Sequence, residues 1–339
     1  MSGYHVAIVG ATGLVGRTIL QVLQERDFPI KKLTLLASSR SAGSTVEFKG
    51  ESYSVQEATP ASFKGVDFAF FSAGGGVSEK LAPAAAQSGA VVIDNSSAFR
   101  LDPEVPLVVP EVNPEDAKKH KGIIANPNCS TIQMVVALNP LHQAAGLKRV
   151  VVSTYQAVSG AGHRAIQGLE NESRAVLEGR EPEKNTIPHR GAARYHQIAF
   201  NVVPQIDVFD EDDYCKEEMK MIKETRKIMN LPELAITATT VRVPVSFGHS
   251  ESVNVELNNP LPPSKAKEIL KKSAGIVVVD NPSQLEYPMP VMSKGKDEVF
   301  VGRIRVDRSV PHGLNLWVVA DNIRKGAATN SVQIAELLA

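Results

Sequence analysis

Three side chains in this sequence are of types that could do covalent chemistry together. Cys129 lies in Asn126-Pro-Asn-Cys129-Ser-Thr, just before an apolar pattern at helical spacing, Ile132 to Leu141. A thiol at a helix start meets unpaired N–H groups and the positive end of the dipole, which favour the nucleophilic thiolate. Taken alone, Cys129 is equally compatible with a small buried hydrophobe. His249, in the GHSE stretch, has an imidazole of ordinary pKa about 6.5, suited to accept a thiol proton and return it to a developing oxyanion. A structural or solvated histidine at a strand boundary is as common. Arg242 interrupts an apolar run, ATTVRVPV, where a guanidinium needs a partner or an anionic ligand.

A second group of residues addresses a nucleotide. Gly10-Ala-Thr-Gly13-Leu-Val-Gly16 follows the apolar run Val6 to Val9 and opens a helical pattern. In that position glycines allow a tight turn and let backbone approach a pyrophosphate at a helix N-terminus. Gly10, Thr12, Gly13, Leu14, Val15 and Gly16 are the expected contacts, although the spacing departs from GxGxxG. After the run Leu33 to Ala37, where an NAD enzyme carries an acid for the ribose hydroxyl, the chain reads Ser38-Ser39-Arg40, which suits the 2′-phosphate of NADP. A solvated loop charge is the alternative for Arg40. Ser72-Ala-Gly-Gly-Gly76 is a second glycine-rich turn after a strand, with Ser72 and Gly74 expected to wall the cofactor.

The elements that must position these residues are those of an α/β protein. Val6 to Val9, Leu33 to Ala37, Asp67 to Phe71, Val91 to Asp94 and Ile123 to Ala125 alternate with helical patterns, predicting a Rossmann-type, doubly wound parallel sheet. Beyond it, longer alternating segments (Arg149 to Val158, Ile236 to Val245, Ser252 to Leu257, Val299 to Val306, Leu314 to Ala320) predict a second α+β domain with a mixed or antiparallel sheet. The chain has 339 residues, more than one hydrophobic core of roughly 250 to 300 residues organises, so two domains are expected. The expected division is a nucleotide domain over 1–128 and a catalytic and dimerisation domain over 129–322, with the helical tail 323–339 returning to the first. The site would lie in the cleft where they meet.

Composition narrows the partners. Lys plus Arg number 37, as do Asp plus Glu, so no general positive field exists to hold nucleic acid or an anionic membrane, and a small-molecule substrate is expected. Two distant cysteines, Cys129 and Cys215, are no disulfide framework and fit a reducing cytoplasm. No leader-like or membrane-length apolar run stands out, and no spacing such as HExxH predicts a metal.

Five motifs then share one resemblance. NPNCSTIQ, QAVSGAG (Gln156 to Gly162), EEMKMIKET (Glu217 to Thr225), VRVPVSFGHSE (Val241 to Glu251) and DNIRKGAA (Asp321 to Ala328) together resemble the aspartate-semialdehyde dehydrogenase family, in the same order and over almost the whole chain. The resemblance implies NADPH-dependent reduction of L-aspartyl 4-phosphate to the semialdehyde through a cysteine thioester, in biosynthesis of lysine and diaminopimelate, threonine, methionine and isoleucine. It implies Cys129 as nucleophile, His249 as acid/base and Gln156 as positioner of the acyl group. Arg242 would meet the substrate carboxylate, Glu217 its amine, Arg100 and Lys220 the phosphate, and Asn128 the substrate. Ser159, Gly160 and Asn322 would touch the cofactor, inorganic phosphate would be the second product, and the protein would be a homodimer. Without the resemblance, Glu217 and Lys220, three apart on a helix, read as an ordinary surface pair. Two rivals remain: N-acetyl-γ-glutamyl-phosphate reductase, whose substrate lacks a free amine, and a silent nucleotide-binding relative, which would be expected to lose the nucleophile.

Overall fold

The computed structural model describes residues 3–210 and 212–339. They form two compact units, one running through Asn128 and taking up Gly326–Ala339, the other Cys129–Lys325.

The first unit contains β1 (Tyr4–Val9), α1 (Leu14–Glu25), β2 (Ile30–Ala37), β3 (Thr45–Phe48), β4 (Glu51–Glu57), β5 (Phe68–Phe71), α2 (Gly75–Gln87), β6 (Val91–Asp94) and β7 (Ile123–Ala125). The strands make one sheet in the order β3-β4-β2-β1-β5-β6-β7, parallel except for the β3–β4 hairpin at its edge. Both faces are covered, so successive residues of β1 enter different cores. Val6 and Ile8 pack with Ile19 and Leu23 of α1, whereas Ala7 and Val9 pack with Leu81, Ala82 and Ala85 of α2. Burial on both faces is why these strands read as continuous apolar runs rather than alternating ones.

The second unit contains α3 (Cys129–Ala145), β8 (Leu147–Gln156), α4 (His163–Leu177), α5 (Lys216–Ile228), β9 (Ala235–Arg242), β10 (His249–Leu257), α6 (Pro263–Lys272), β11 (Ile276–Val278), α7 (Pro290–Ser293), β12 (Val299–Asp307) and β13 (Gly313–Ala320). Its sheet has the order β11-β12-β13-β10-β8-β9 and is mixed: β8–β9 and β11–β12 are parallel, the other pairs antiparallel. One face is covered by α3, which touches β8, β10, β12 and β13, with α5 beside it over β9. The opposite face carries Tyr155 and Trp317, whose rings lie 5.5 Å apart. The strand expected to reach Val245 stops at Arg242, because Pro244 has no N–H to give a ladder. The strand expected from Ser252 begins earlier, at His249, which is its first residue.

The last helix, α8 (Thr329–Glu336), belongs to the first unit. Val332, Ile334 and Ala335 join the core of β1 and α1, and Glu336 pairs with Arg26 at 2.6 Å.

Candidate active site

In the first unit, β1 is the strand at which the sheet order turns. From β1 the chain moves outward through β2, and later returns to β5 on the other side. The crevice at the carboxyl ends of β1 and β5 is therefore the topological switch point, where open α/β sheets bind ligands. Two glycine turns, each leading into a helix N-terminus, occupy it. Gly10 has φ +89°, and a Cβ there would stand 2.8 Å from Ser72 Oγ; a Cβ on Gly16 would run into the Gly10 carbonyl oxygen. Gly10 thus permits the turn, and Gly16 lets α1 lie directly against it. Thr12, Gly13, Leu14 and Val15 line the turn and first residues of α1, all at least partly exposed. Ser72 Oγ donates to the Val9 carbonyl at 3.0 Å, tying the second turn to the first, and Gly74 with φ +95° starts α2. Ser38, Ser39 and Arg40 follow β2 and are exposed.

The same unit holds Arg100 in a rigid cradle. The side chain is buried, with Nε donating to the Asn126 carbonyl at 2.9 Å and Nη2 to the Asn95 carbonyl at 2.8 Å. Asn126 is itself fixed by Asn330 of α8, whose amide donates to its Oδ1 at 2.7 Å. Asn128 is buried close by in sequence.

In the second unit the sheet register does the assembling. Gln156, the last residue of β8, pairs with Arg242, the last of β9. Ser250 pairs with Tyr155, which brings His249 level with Gln156, and His249 pairs with Ala320. Paired residues share a face, so Arg242, Gln156 and His249 stand side by side in one row across three strands, all buried. α3, which starts at Cys129, and α5, which carries Glu217 and Lys220, cover that face.

Hydrogen bonds lock the row. The Gln156 amide donates to Thr154 Oγ1 at 3.3 Å and to Glu217 Oε1 at 3.2 Å. Lys220 Nζ reaches Glu217 Oε2 at 3.3 Å and Asp207 Oδ2 at 3.1 Å. Glu217 and Lys220 are therefore no surface pair: the Glu217 side chain is only 6% exposed and bonds to another element. Arg242 Nη1 donates to the Ala157 carbonyl at 2.7 Å. Burial pulls the guanidinium pKa below its usual value, while the charges of Glu217 and the Cys129 thiolate raise it. By reciprocity Arg242 favours that thiolate.

Two polar atoms in the row point to a ligand. Among the described residues neither Arg242 Nε nor His249 Nε2 has a hydrogen-bond partner, though both are fully buried. A buried donor without a partner is costly in a protein that binds nothing there. Gly160 lets the backbone lie close to both side chains, since a Cβ on it would lie 3.0 Å from Arg242 Nη1 and 3.4 Å from His249 Nε2. Asn322 holds this corner together: its Oδ1 accepts from Gly248 N at 3.0 Å and Ser159 Oγ at 3.1 Å, and its Nδ2 donates to Ser159 Oγ at 3.0 Å.

Sequence reasoning passed over two residues. Ala157 has no functional side chain, but its backbone serves both Arg242 and His249, a role no residue type reveals. Glu251, two residues after His249 on the same face of β10, is fully buried; burial pushes its carboxyl well above the usual range, against the pull of the Gln133 amide. Among the described residues no cluster of three or more His, Cys, Asp and Glu side chains could hold a metal ion. A concavity of about 710 Å³ lined by Arg164, Asn171, Arg174 and Arg180 shares none of the residues of the row.

Residues 5–120 match the family described as semialdehyde dehydrogenase, NAD binding domain, and residues 138–325 the semialdehyde dehydrogenase dimerisation domain. The chain belongs to the semialdehyde dehydrogenase family. Within it, the chain is 61% identical to the aspartate-semialdehyde dehydrogenase of Aquifex aeolicus, over 99% of this chain and 98% of that one. It is 56% identical to the Bacillus subtilis enzyme of the same name, over 99% and 97%. Among solved structures, aspartate semialdehyde dehydrogenase II from Vibrio cholerae complexed with ASA superposes with a TM-score of 0.95 at 50% identity, covering all of this chain and 98% of that one. The Candida albicans enzyme with NADP gives 0.73 at 26% identity, covering 99% and 98%. As a semialdehyde dehydrogenase this chain is an oxidoreductase with a nicotinamide-cofactor domain and a dimerisation domain.

Proposed function

We propose that this semialdehyde dehydrogenase makes L-aspartate 4-semialdehyde from L-aspartyl 4-phosphate and NADPH, releasing inorganic phosphate. The observation that carries the reading is the row of Arg242, Gln156 and His249, with two buried nitrogens that have no hydrogen-bond partner among the described residues and Cys129 at the start of the helix that covers it.

Cys129 attacks the acyl carbon as a thiolate and takes the acyl group as a thioester, which splits a difficult reduction into two easier steps. Gln156, its amide held by Thr154 and Glu217, orients that acyl group. Arg242 presents its guanidinium fork to the substrate carboxylate, and Glu217 offers a buried carboxylate to the ammonium. Lys220 and Arg100 hold the departing phosphate, with Asn128 as a further substrate contact. The glycine cradle of Gly10, Gly13 and Gly16 fits a pyrophosphate, Ser72 and Gly74 wall the nicotinamide side, and Ser159, Gly160 and Asn322 complete the cofactor contacts. When bound, the nicotinamide supplies the hydride that reduces the thioester. The half-exposed sheet face bearing Tyr155 and Trp317 supplies the surface for a homodimer.

The test runs the reaction in reverse. With aspartate semialdehyde and NADP, NADPH should form at 340 nm only when inorganic phosphate is present. Faster turnover of N-acetyl-glutamate semialdehyde would transfer the chain to the other reductase, and no turnover of either would leave a nucleotide-binding relative.

Ser38, Ser39 and Arg40 select NADP over NAD in this reading. Arg40→Ala should weaken NADP and leave NAD nearly untouched, because only NADP offers a 2′-phosphate to the guanidinium. A charge-assisted hydrogen bond of about 1.5 to 3 kcal/mol makes the expected loss roughly ten- to hundredfold, with the serine hydroxyls retaining part of the preference. Dissociation constants for both cofactors, titrated at fixed ionic strength, decide it; an equal loss for NADP and NAD would move Arg40 to a structural role.

A further inference from the structure

Glu251 is a buried ionisable side chain that the proposed reaction leaves unused. It lies two residues after the acid/base His249 on the same face of β10, and it is fully buried. Neither Glu251 Oε1 nor Oε2 has a hydrogen-bond partner among the described residues. Register places Thr154 on one side of it and Val318 on the other, and neither brings positive charge. The titratable groups on the elements packed against β10 are Cys129 and His142 on α3 and Lys148, Arg149 and Tyr155 on β8, while β13 carries none. Lys148 pairs with Glu256 at 2.6 Å, Arg149 stands opposite Glu256 at the far end of the strand, and Tyr155 is on the other face. A carboxylate buried with neither a cation nor donors is costly, which argues against a charge at this position.

The helix supplies a matching acceptor. Gln133, 1% exposed, follows Cys129 by one helical turn, so the two share a face of α3. Its Nε2 donates to the His249 carbonyl at 3.4 Å, which fixes the orientation of the amide, because a carbonyl accepts from the nitrogen and not from the oxygen. Gln133 Oε1 is buried as well and has no partner among the described residues. Gln133 is also the polar side chain that bears on the Glu251 carboxyl. Three buried acceptor atoms in this corner lack a donor, and one hydrogen on Glu251 supplies it.

We propose that Glu251 is a neutral carboxylic acid whose O–H donates to Gln133 Oε1, and that through Gln133 it holds the Cys129 end of α3 in fixed register with His249. Glu251 is thus a positioning residue: it acts through Gln133 and keeps the nucleophile and the acid/base residue at reacting distance. Burial pushes its carboxyl pKa well above the usual range, which agrees with a proton that stays in place. The effect on turnover rests on the proposed function. The proton on Glu251 and its influence on the Cys129 thiol do not.

The infrared difference spectrum between the wild type and Glu251→Gln at neutral pH should contain the C=O stretch of an undissociated carboxylic acid; a carboxylate band in its place overturns the proposal. Glu251→Gln keeps a donor of nearly the same shape, so kcat should stay within about fivefold of the wild type. Glu251→Leu has similar volume and no donor, and should lower kcat roughly ten- to hundredfold with KM for aspartate semialdehyde and NADP affinity changed by less than about threefold. The pH midpoint for alkylation of Cys129 by iodoacetamide in the resting enzyme should rise in Glu251→Leu and stay in Glu251→Gln, a readout that lost stability alone does not move. Glu251→Leu matching the wild type in kcat and alkylation, or Glu251→Gln losing tenfold or more in kcat, overturns the proposal. The second of those outcomes and the infrared band decide it even where Glu251→Leu fails to fold. Absence of phosphate-dependent turnover in the wild type would overturn the proposed function instead, leaving the infrared and alkylation results standing.

Discussion

Cys129→Ser is expected to lower turnover by about 10⁴-fold or more while NADP affinity and thermal midpoint stay unchanged. The two side chains are nearly isosteric, and the residue is the first of α3. What changes is ionisation. A helix N-terminus and the Arg242 guanidinium bring a thiol within reach of its anion, but a serine hydroxyl, far more basic, stays protonated under the same assistance. Steady-state rates in the phosphate-dependent direction and a cofactor titration give the two halves of the result. Turnover within tenfold of the wild type would rule out the thioester route.

Arg242→Met should be costly in two separate ways. Removing the guanidinium leaves Glu217 buried with less positive charge around it and leaves the Ala157 carbonyl without its donor. Breaking a buried charge pair by deleting one partner typically costs about 3 to 5 kcal/mol; the lower end is expected here, because Lys220 still bonds to Glu217. Urea unfolding measures that part. The KM for aspartate semialdehyde should also rise roughly ten- to hundredfold or more, since each charged hydrogen bond to a substrate carboxylate is worth about 1.5 to 3 kcal/mol. Arg242→Lys should recover more stability than affinity, because a point charge replaces the field but not the fork. A KM unchanged in both variants would take Arg242 away from the substrate.

Local signals made the parallel sheet legible. Val6 to Val9, Phe68 to Phe71 and Val91 to Asp94 are buried on both faces and announce themselves as apolar runs, and Asn126-Pro-Asn marks the strand-to-helix turn before Cys129. The β3–β4 hairpin was not legible: Glu51 to Glu57, next to the edge strand, is largely polar and exposed, and its turn at Lys49 and Gly50 lacks the Asn-Gly or Asp-Gly signal. The candidate site was legible as residue types and not as an arrangement. Gln156, Arg242 and His249 become neighbours only through inter-strand register, which no short stretch of sequence encodes. Glu217 shows the same limit from the other side. Its spacing from Lys220 suggests a solvated pair, and only the packing of α5 over β9 turns it inward to Gln156.

That row also governs where the chain can change length. Side chains in a strand alternate between faces, so losing one residue within β8 would turn Gln156 to the face of Tyr155 and Trp317 while Arg242 and His249 stayed where they are. The same loss in the stretch 178–185, exposed except at Pro182 and contributing no strand to the sheet, can be absorbed by the loop. Relatives should therefore differ in length between α4 and α5 far more readily than in β8, β9 or β10, and gene libraries built to alter substrate range have room for insertions there and almost none inside the strands.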